Sequence, residues 1–296
     1  MQKRLLAALL LCACLLGTAL TACTDPTPTP TPSPPEPGPD ALRGAVLSVG
    51  KADATLLWGD GVAVLIDAGE SEDADKILAF LARRGIRRLD ALILSHYDKD
   101  HVGGAAGVLR GIEVGAIYGT YQTKESAEYD AYLAAAGEVG LSPVIVRDSM
   151  TLTFSSLSLS LLPPKATEYG EKESNNSSLF VRAVYGDTAL LFAGDAQEAR
   201  IAELNKSDGL GCDFLKAPYH GNPIENLPHL LSLSRPRYVA LTCSQKNPED
   251  AGKVRMLEEA GATVYLTRCG NVYLYSDGNV KAVGEATLGA ADDGTY

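Results

Sequence analysis

The sequence predicts an α/β protein of the αββα class, a four-layer sandwich in which helices flank two packed, mixed β-sheets. Short β-branched and apolar runs outnumber helical patterns, and each half of the chain contains both hairpin-linked runs and strand–helix units. Because an amphipathic layer must bury its apolar face against another layer, this mixture favours a two-sheet core between helices. The chain has 296 residues and is 46% hydrophobic, which is enough material for such a core.

The first 22 residues have the pattern of an export signal. Lys3 and Arg4 precede an apolar run from Leu5 to Leu20, and small residues lead up to Cys23. The run is shorter than the roughly 20 residues that span a membrane, which argues against an ordinary transmembrane anchor. The junction resembles the lipobox of bacterial lipoproteins. That resemblance implies that residues 1–22 are removed and that an acylated Cys23 anchors the protein, by lipid alone, to the extracytoplasmic side of the bacterial cell membrane.

Residues 23–41 are predicted to be a tether. The segment DPTPTPTPSPPEPGPD, from Asp25 to Asp40, consists mainly of proline and threonine. Such a composition cannot build a core and favours extended polyproline geometry. We expect the tether to hold a folded domain of residues 42–285 away from the membrane, with residues 286–296 as a C-terminal tail.

Three short runs predict the strands that open the domain. They are rich in β-branched and apolar residues, are separated by turn residues and read GAVLSVG, ATLLWGD and GVAVLIDAG. The next segment, SEDADKILAFLARRG, predicts a helix because its apolar residues recur at helical spacing. Acids in its first turn and Arg83-Arg84 near its end would complement the helix dipole.

Strands and helices alternate through the rest of the first half. We predict a strand in LDALILS, a short helix from His101 to Arg110, a strand in VGAIYG and a helix near Glu125 to Val139. This alternation is typical of βα units, in which a helix crosses over between neighbouring strands.

The second half has a similar order of elements. Strand patterns occupy MTLTFSSLSLSLL, SSLFVRAVYG, DTALLFAGD, CDFLKAP, RYVALTCS, TVYLT and NVYLYSDGNVKAV. Helical patterns occupy AQEARIAELNK, a stretch near Ile224 to Leu233, and EDAGKVRMLEEAG. We therefore predict that Leu42 to Ser149 and Met150 to Val283 are two related halves with a duplicated layout.

One motif concentrates metal-binding side chains. LSHYDKDHVGG, residues 94–104, places two histidines and two aspartates within six positions directly after an apolar strand, although the chain has only four histidines. Neutral imidazole and carboxylate bind divalent transition metals, and two pairs suit two ions better than one. The alternative is a polar turn with helix-capping aspartates. Capping requires neither histidine, so the motif favours metal binding.

Two later stretches would complete such a site. LLFAGDA is a buried-strand pattern that ends at Asp195, whose carboxylate could bridge two ions at a strand tip. LKAPYHGN ends another strand pattern and brings His220. Side chains at the ends of strands converge in the crevice beyond the sheet, so the three stretches predict one site.

These stretches give the chain a specific resemblance. SVGKADATLL with LIDAG, LSHYDKDHVGG, NNSSLFVRAVYGDTALLFAGDA and LKAPYHG resemble the metallo-β-lactamase-fold hydrolases, and most of all the C-terminal hydrolase domain of ComEC-type competence proteins. The resemblance covers nearly all of Leu42 to Val283. It implies one or two divalent ions, Zn²⁺ or Mn²⁺. The implied metal ligands are His96, Asp98, Asp100, His101, Asp195 and His220.

The sequence also departs from the family pattern. The family's Asp-Val-Gly-Gln-Gly-Asp reads Ser48 to Asp53 here, its His-His-Gly begins with Tyr219, and Asn247-Pro248 stands for a His-Pro. Asp98 occupies a position that is usually histidine in the broader superfamily, and no histidine lies near Asn176, where another ligand often falls. These changes indicate that one ion is held weakly, and an oxygen-rich first site would lean toward Mn²⁺ or labile Zn²⁺.

The function implied is metal-dependent hydrolysis of a phosphoester by activated water. We assign catalytic roles to Asp98, Asp100 and His220. The residues predicted to line a substrate pocket are Asp53, Asn176, Lys216 and Tyr219. Removing two cationic residues with the signal would lower the net charge from −11 to −13, which disfavours long DNA. The candidate substrates are a small phosphoester, a cell-envelope phosphodiester and a nucleic-acid phosphodiester. The sequence implies no obligate protein partner.

Two other function classes stay open. A binding module that keeps the fold but has an impaired metal site would account for Tyr219 and Ser48. A competence accessory that binds incoming DNA would need a basic face that the composition does not indicate. Cys212, Cys243 and Cys269, the cysteines beyond the anchor, are predicted to be core residues or to form one optional bridge.

Overall fold

Two large β-sheets form the centre of the structure, a computed structural model. The structure describes residues 41–170 and 173–285. The predicted signal, the lipid-bearing Cys23, the tether and the tail lie outside these residues.

Seventeen strands are described. Their bounds in chain order are β1 Leu42–Val46, β2 Thr55–Gly59, β3 Val62–Ile66, β4 Arg88–Leu89, β5 Ala91–Leu94, β6 Glu113–Val114, β7 Ile117–Gly119, β8 Val144–Ile145, β9 Met150–Phe154, β10 Leu157–Leu162, β11 Phe180–Tyr185, β12 Thr188–Phe192, β13 Phe214–Lys216, β14 Tyr238–Leu241, β15 Thr263–Leu266, β16 Val272–Ser276 and β17 Val280–Glu285. The first sheet has the order β17-β16-β1-β2-β3-β5-β7-β8, and the second has the order β15-β14-β13-β12-β11-β10-β9. Strands β4 and β6 form a separate parallel pair.

Helices cover the outer face of each sheet. Their bounds are α1 Ala74–Arg83, α2 Lys99–Val102, α3 Ala105–Gly111, α4 Ala127–Glu138, α5 Glu173–Asn176, α6 Glu198–Ala202, α7 Leu227–Ser234 and α8 Ala251–Glu259. Phe80 of α1 and Tyr132 of α4 pack in one apolar cluster with residues of the first sheet. Ile201 of α6 and Leu230 of α7 pack in another cluster with residues of the second sheet.

A third cluster fills the space between the sheets. It joins Val64 and Ile93 of the first sheet with Leu159, Val181 and other residues of the second. Strand β10 alternates buried leucines with partly exposed residues, as the two-residue period of a strand requires. Strand β5 is buried throughout because helices and the other sheet cover its two faces. The predicted αββα class with two mixed sheets is therefore confirmed.

The last hairpin departs from the predicted duplication. Strands β16 and β17 come from the second half of the chain but join the first sheet, where β16 pairs antiparallel with β1 from Leu42↔Ser276 to Val46↔Val272. An unpaired β1 would leave a row of backbone groups without partners. The two sequence halves are thus not two equal halves of the fold.

The predicted helix from His101 to Arg110 is divided into α2 and α3. The division falls at Gly103-Gly104, where the backbone passes close to the segment after β3. A Cβ on Gly104 would lie 2.2 Å from the carbonyl oxygen of Ala68. This close approach holds the loop that carries His101 against the end of β3.

Two further features concern the cysteines and the helices. Cys212, Cys243 and Cys269 are thiols in the described chain, so the optional bridge is not formed here. In the parts of the chain that the structure describes, no helix has the length and hydropathy needed to cross a membrane.

Candidate metal centre

The candidate ligands meet at one edge of the sandwich. His96 follows β5 of the first sheet, whereas Asp195 follows β12 and His220 follows β13 of the second. Strands β12, β13 and β14 are parallel to one another, as are β3 and β5, so their carboxyl ends share an edge. Side chains that follow such ends converge in the crevice between them.

Three buried histidine rings lie side by side at this edge. The ring centroids of His96 and His101 are 4.1 Å apart, and those of His101 and His220 are 5.4 Å apart. The Nδ1 atom of each ring has a partner: Ser95 Oγ at 3.1 Å for His96, Asp67 Oδ2 at 2.9 Å for His101, and Thr242 Oγ1 at 2.8 Å for His220. Contacts at Nδ1 fix the ring orientations and leave Nε2 available to a ligand.

The Nε2 atoms face carboxylates. His101 Nε2 lies 3.3 Å from Asp195 Oδ1, and His220 Nε2 lies 3.1 Å from Asp195 Oδ2. Asp100 Oδ2 is 3.2 Å from the same atom of His220. Four of the seven buried side-chain atoms that make no hydrogen bond among the described residues lie here: the Nε2 atoms of His96, His101 and His220 and Oδ1 of Asp195. Unpartnered buried polar atoms are costly, so their convergence fits a divalent cation.

Asp53 belongs to the same group of ligand-type residues but has another role. Asp53, His101, Asp195 and His220 offer ligand atoms within 4.8 Å of one another. Both oxygens of Asp53 are already engaged, because Oδ1 accepts a hydrogen bond from Thr242 Oγ1 at 2.7 Å and Oδ2 pairs with the ammonium of Lys216. Asp53 also lies on the Nδ1 side of His220, at 3.2 Å. We therefore infer that Asp53 orients the histidine and that Asp100 is the better fourth ligand.

The buried charges shift one another's pKa values. Burial opposes ionisation of Asp195, but His220 and His101 outweigh it and hold the carboxyl pKa well below its usual range. Burial also disfavours the charged form of His220, yet Asp195 and Asp53 raise its pKa to about 10. The pKa of His101 is likewise raised, against burial, by Asp195, Asp67 and Asp53. Ionised carboxylates at this edge thus stabilise positive charge.

Three of the residues predicted to line a substrate pocket lie within the scaffold. Lys216 is 2% exposed and bonds Asp53 and the carbonyl oxygen of Gly194, so it lies behind the ligands. Asn176 Oδ1 accepts the backbone N–H groups of Gln197 and Arg200, both at 3.1 Å, and so caps the start of α6. The ring of Tyr219 is half-buried against the apolar cluster beneath α6 and α7. These contacts describe the protein without substrate, and a role of the three side chains in lining a substrate pocket stays a prediction.

His96 and Asp98 form a separate pair beside the cluster. His96 Nε2 is 3.7 Å from Asp98 Oδ2, and Asp98 is about one-quarter exposed, at 26%. The other Asp98 oxygen accepts hydrogen bonds from Lys124 and Ser174. Burial raises the pKa of Asp98, but His96, Lys124 and Ser174 together hold it below its usual range. The fourth histidine, His229, contacts the carbonyl oxygen of Leu204 and belongs to the scaffold.

Lys253 is a functional candidate that the sequence analysis missed. It lies in α8, is 2% exposed and donates to the carbonyl oxygens of Pro218 and His220, the latter at 3.1 Å. Between these carbonyls, Tyr219 and His220 both have left-handed backbone, with φ of 55° and 52°. Such backbone is unfavourable for residues other than glycine, so it needs support. A single lysine in an amphipathic helical pattern gives no signal of this contact.

Sequence comparison agrees with this geometry. The family model described as the metallo-beta-lactamase superfamily matches residues 47–240, well over half of the chain. The chain belongs to the metallo-beta-lactamase superfamily. This membership confirms the resemblance drawn from the motifs, and it makes the cluster at the strand ends a candidate metal site of the superfamily.

Within the superfamily, the chain is similar to competence-related proteins of the ComEC-like kind. It is 27% identical over 172 residues to ComE operon protein 3 of Bacillus subtilis, an alignment that covers 58% of this chain and 22% of that protein. It is 28% identical over 207 residues to Recombination protein 2 of Haemophilus influenzae, covering 68% of this chain and 24% of that protein. The chain therefore spans about a quarter of the length of these relatives.

Solved structures show the same superfamily fold. The metallo-beta-lactamase fold protein YhfI from Bacillus subtilis aligns with a TM-score of 0.56 and 13% identity, over 80% of this chain and 100% of that one. A variant of the CmlA beta-hydroxylase of Streptomyces venezuelae aligns with a TM-score of 0.53 and 16% identity, over 81% of this chain and 55% of that one. At such low sequence identities, the structural similarity shows a shared fold and nothing more.

We expect Lys253→Met to lower the affinity for Mn²⁺ or Zn²⁺ by about ten- to one-hundredfold, the usual effect of losing a contact that orients a ligand. The variant loses the donor to the carbonyl of His220, so the left-handed turn is less well fixed. Calorimetric titration of the metal-free protein measures the change. Arg255→Met, at an exposed position of the same helix, is the matched control and should bind as the wild type does. Equal affinities in both variants would contradict a positioning role.

Metal binding should release protons near pH 7, because His101 and His220 must be neutral to act as ligands. Both pKa values are raised in the metal-free protein, that of His220 to about 10, so a proton on His220 must leave before that ring binds a metal. The apparent metal affinity should therefore rise with pH from 6 to about 10 and fall as the pH is lowered. Calorimetry in two buffers of different ionisation enthalpy counts the protons. Binding without proton release would show that the rings are already neutral.

Proposed function

We propose that this protein is a metal-dependent hydrolase of phosphoesters. The observation that carries the proposal is the convergence of unpartnered, buried Nε2 atoms of His101 and His220 on the carboxylate of Asp195. Asp100 completes the set from the neighbouring loop. Two imidazoles and two carboxylates are a donor set that suits Zn²⁺ or Mn²⁺. Membership of the metallo-beta-lactamase superfamily supports a hydrolytic use of such a site.

The chain's own residues have distinct roles in this proposal. When bound, a divalent ion supplies Lewis acidity, which polarises a phosphoryl oxygen and lowers the pKa of water. Asp195 binds between the two histidines, and Asp53 with Thr242 holds the ring of His220 in place. Asp100 is partly exposed, at 26%, and the contact with His220 outweighs burial to hold its pKa below the usual range. Its carboxylate therefore stays ionised at neutral pH and would be able to bind an ion or to orient the attacking water.

A phosphodiester is the substrate class we favour. Relatives named for competence and recombination support a nucleic-acid phosphodiester. The net charge of −11 works against tight binding of long DNA, because a polyanion is repelled at long range. Short nucleic acids, small phosphoesters and cell-envelope phosphodiesters meet this constraint equally well, and a lipid anchor would favour the last of these.

A catalytically impaired binding module is the second candidate. The observation in its favour is that Asp98, which resembles a ligand of the family, is occupied by Lys124 and Ser174. A module of this kind would keep the fold and bind little metal. Measured turnover separates the two candidates.

His101→Ala and Asp195→Ala should each remove metal and reduce hydrolysis of bis(p-nitrophenyl) phosphate by roughly a thousandfold or more, since each contributes to a ligand set that supplies several kcal/mol. The assay compares turnover with added Mn²⁺ and Zn²⁺, and circular dichroism checks the fold. His229→Ala is the matched control because His229 lies in the scaffold, and it should keep its activity. Retained turnover in either ligand variant would refute the assignment, and an inactive wild type would favour the binding module.

We also propose that the protein is anchored outside the cytoplasm by lipid on Cys23, as residues 1–23 of the sequence suggest. Metabolic labelling with a fatty acid should mark the wild type and the Cys14→Ala control, whose cysteine would leave with the signal. Cys23→Ala should carry no label. A labelled Cys23→Ala variant would place the lipid elsewhere or show that the label is not specific.

A further inference from the structure

The candidate centre has two halves. One consists of His96 and Asp98, and the other of Asp100, His101, Asp195 and His220. A lysine already pairs with the first half. Lys124 precedes α4, and its ammonium lies 2.5 Å from Asp98 Oδ1. Ser174 of α5 donates to the same oxygen. The other oxygen of Asp98 faces His96 Nε2 at 3.7 Å. The carboxylate charge of Asp98 is therefore compensated by Lys124, and the same oxygen also accepts a hydrogen bond from Ser174.

The same half lacks further ligands. The group of ligand-type residues found among the described residues contains neither His96 nor Asp98. Asn176, which lies near the position of another family ligand, directs its side-chain oxygen to the backbone at the start of α6. His96 and Asp98 would therefore reach the three protein ligands that catalytic zinc sites use only if Asp195 bridged the two halves.

The charges lead to the same conclusion. The ammonium of Lys124 already lies at hydrogen-bonding distance from the carboxylate of Asp98. A divalent ion bound to the same carboxylate would lie close to this ammonium, and the two positive charges would repel each other strongly. In the other half, among the described residues, the lysine contact with a ligand carboxylate is longer. There Lys216 bonds Asp53 behind the ligands and comes no closer than 3.9 Å to Asp195 Oδ1.

We propose that the centre binds a single divalent ion, at Asp100, His101, Asp195 and His220, and that Lys124 supplies the positive charge beside Asp98 where a second ion would otherwise bind. The inference rests on the metal centre of the proposed function. Lys124 is 37% exposed, so its ammonium remains accessible from the solvent side of the site. A lysine at this position contributes one positive charge in place of two and needs no supply of metal.

The test is the metal stoichiometry of the full chain. Metal-free protein is titrated with Mn²⁺ and with Zn²⁺, and bound metal is measured by calorimetry and elemental analysis. We expect one ion per chain in the wild type and two in Lys124→Met, which keeps a long side chain but frees Asp98. Lys99→Met is the matched control, because Lys99 is exposed and lies 3.5 Å from Glu70 instead of a candidate ligand; it should bind one ion.

Each result has a distinct meaning. Two ions in the wild type, or one in Lys124→Met, would overturn the inference while leaving the proposed hydrolase intact. No bound metal in any form would overturn both. An anomalous difference map of wild-type crystals soaked in Mn²⁺ does not depend on the folding of a variant. One peak near His220 is expected, and a second peak between His96 and Asp98 would refute the role of Lys124.

Discussion

The buried carboxylate of Asp53 is the contact on which the site depends. Asp53 lies between β1 and β2 of the first sheet, and it bonds Lys216 and Thr242 at the ends of two strands of the second sheet. Its backbone N–H donates to the carbonyl oxygen of Asp100 at 3.0 Å. Removing one partner of a buried ion pair typically costs about 3–5 kcal/mol. The same contact therefore joins the two sheets and fixes the loop that carries the ligands.

Charge is distributed unevenly in this protein. The chain has 37 acidic and 26 basic residues, yet several basic side chains are buried, among them Lys216, Lys253 and Arg200. Near the centre, Lys216 compensates the buried carboxylate of Asp53, which would be costly to ionise without a partner. The raised pKa values of His101 and His220 come from the carboxylates that surround them. The acidic composition of the whole chain therefore does not determine the electrostatic potential at the site.

The sequence predicted the elements better than it predicted their contacts. The order of strands and helices, the two-sheet class and the position of His96 to His101 after a strand all follow from local patterns. The partner of Lys216 could not be predicted, because Asp53 lies far away in the chain and only the packed sheets bring the two together. The support that Lys253 gives to His220 is hidden for the same reason. The last hairpin joins the first sheet because β1 has a free edge there. No local sequence pattern shows which strand edge is free.

That hairpin has a consequence for biogenesis. Strand β1 pairs with β2 on one side and with β16 on the other, so residues at Leu42 and Ser276 must meet. A chain synthesised from its amino end carries β1 with an open edge until nearly the whole domain has emerged. Pairings between such distant segments form slowly. We therefore expect the second sheet, whose seven strands are consecutive in the chain, to assemble before the first sheet is complete, and the open edge of β1 to be the segment most in need of protection by chaperones.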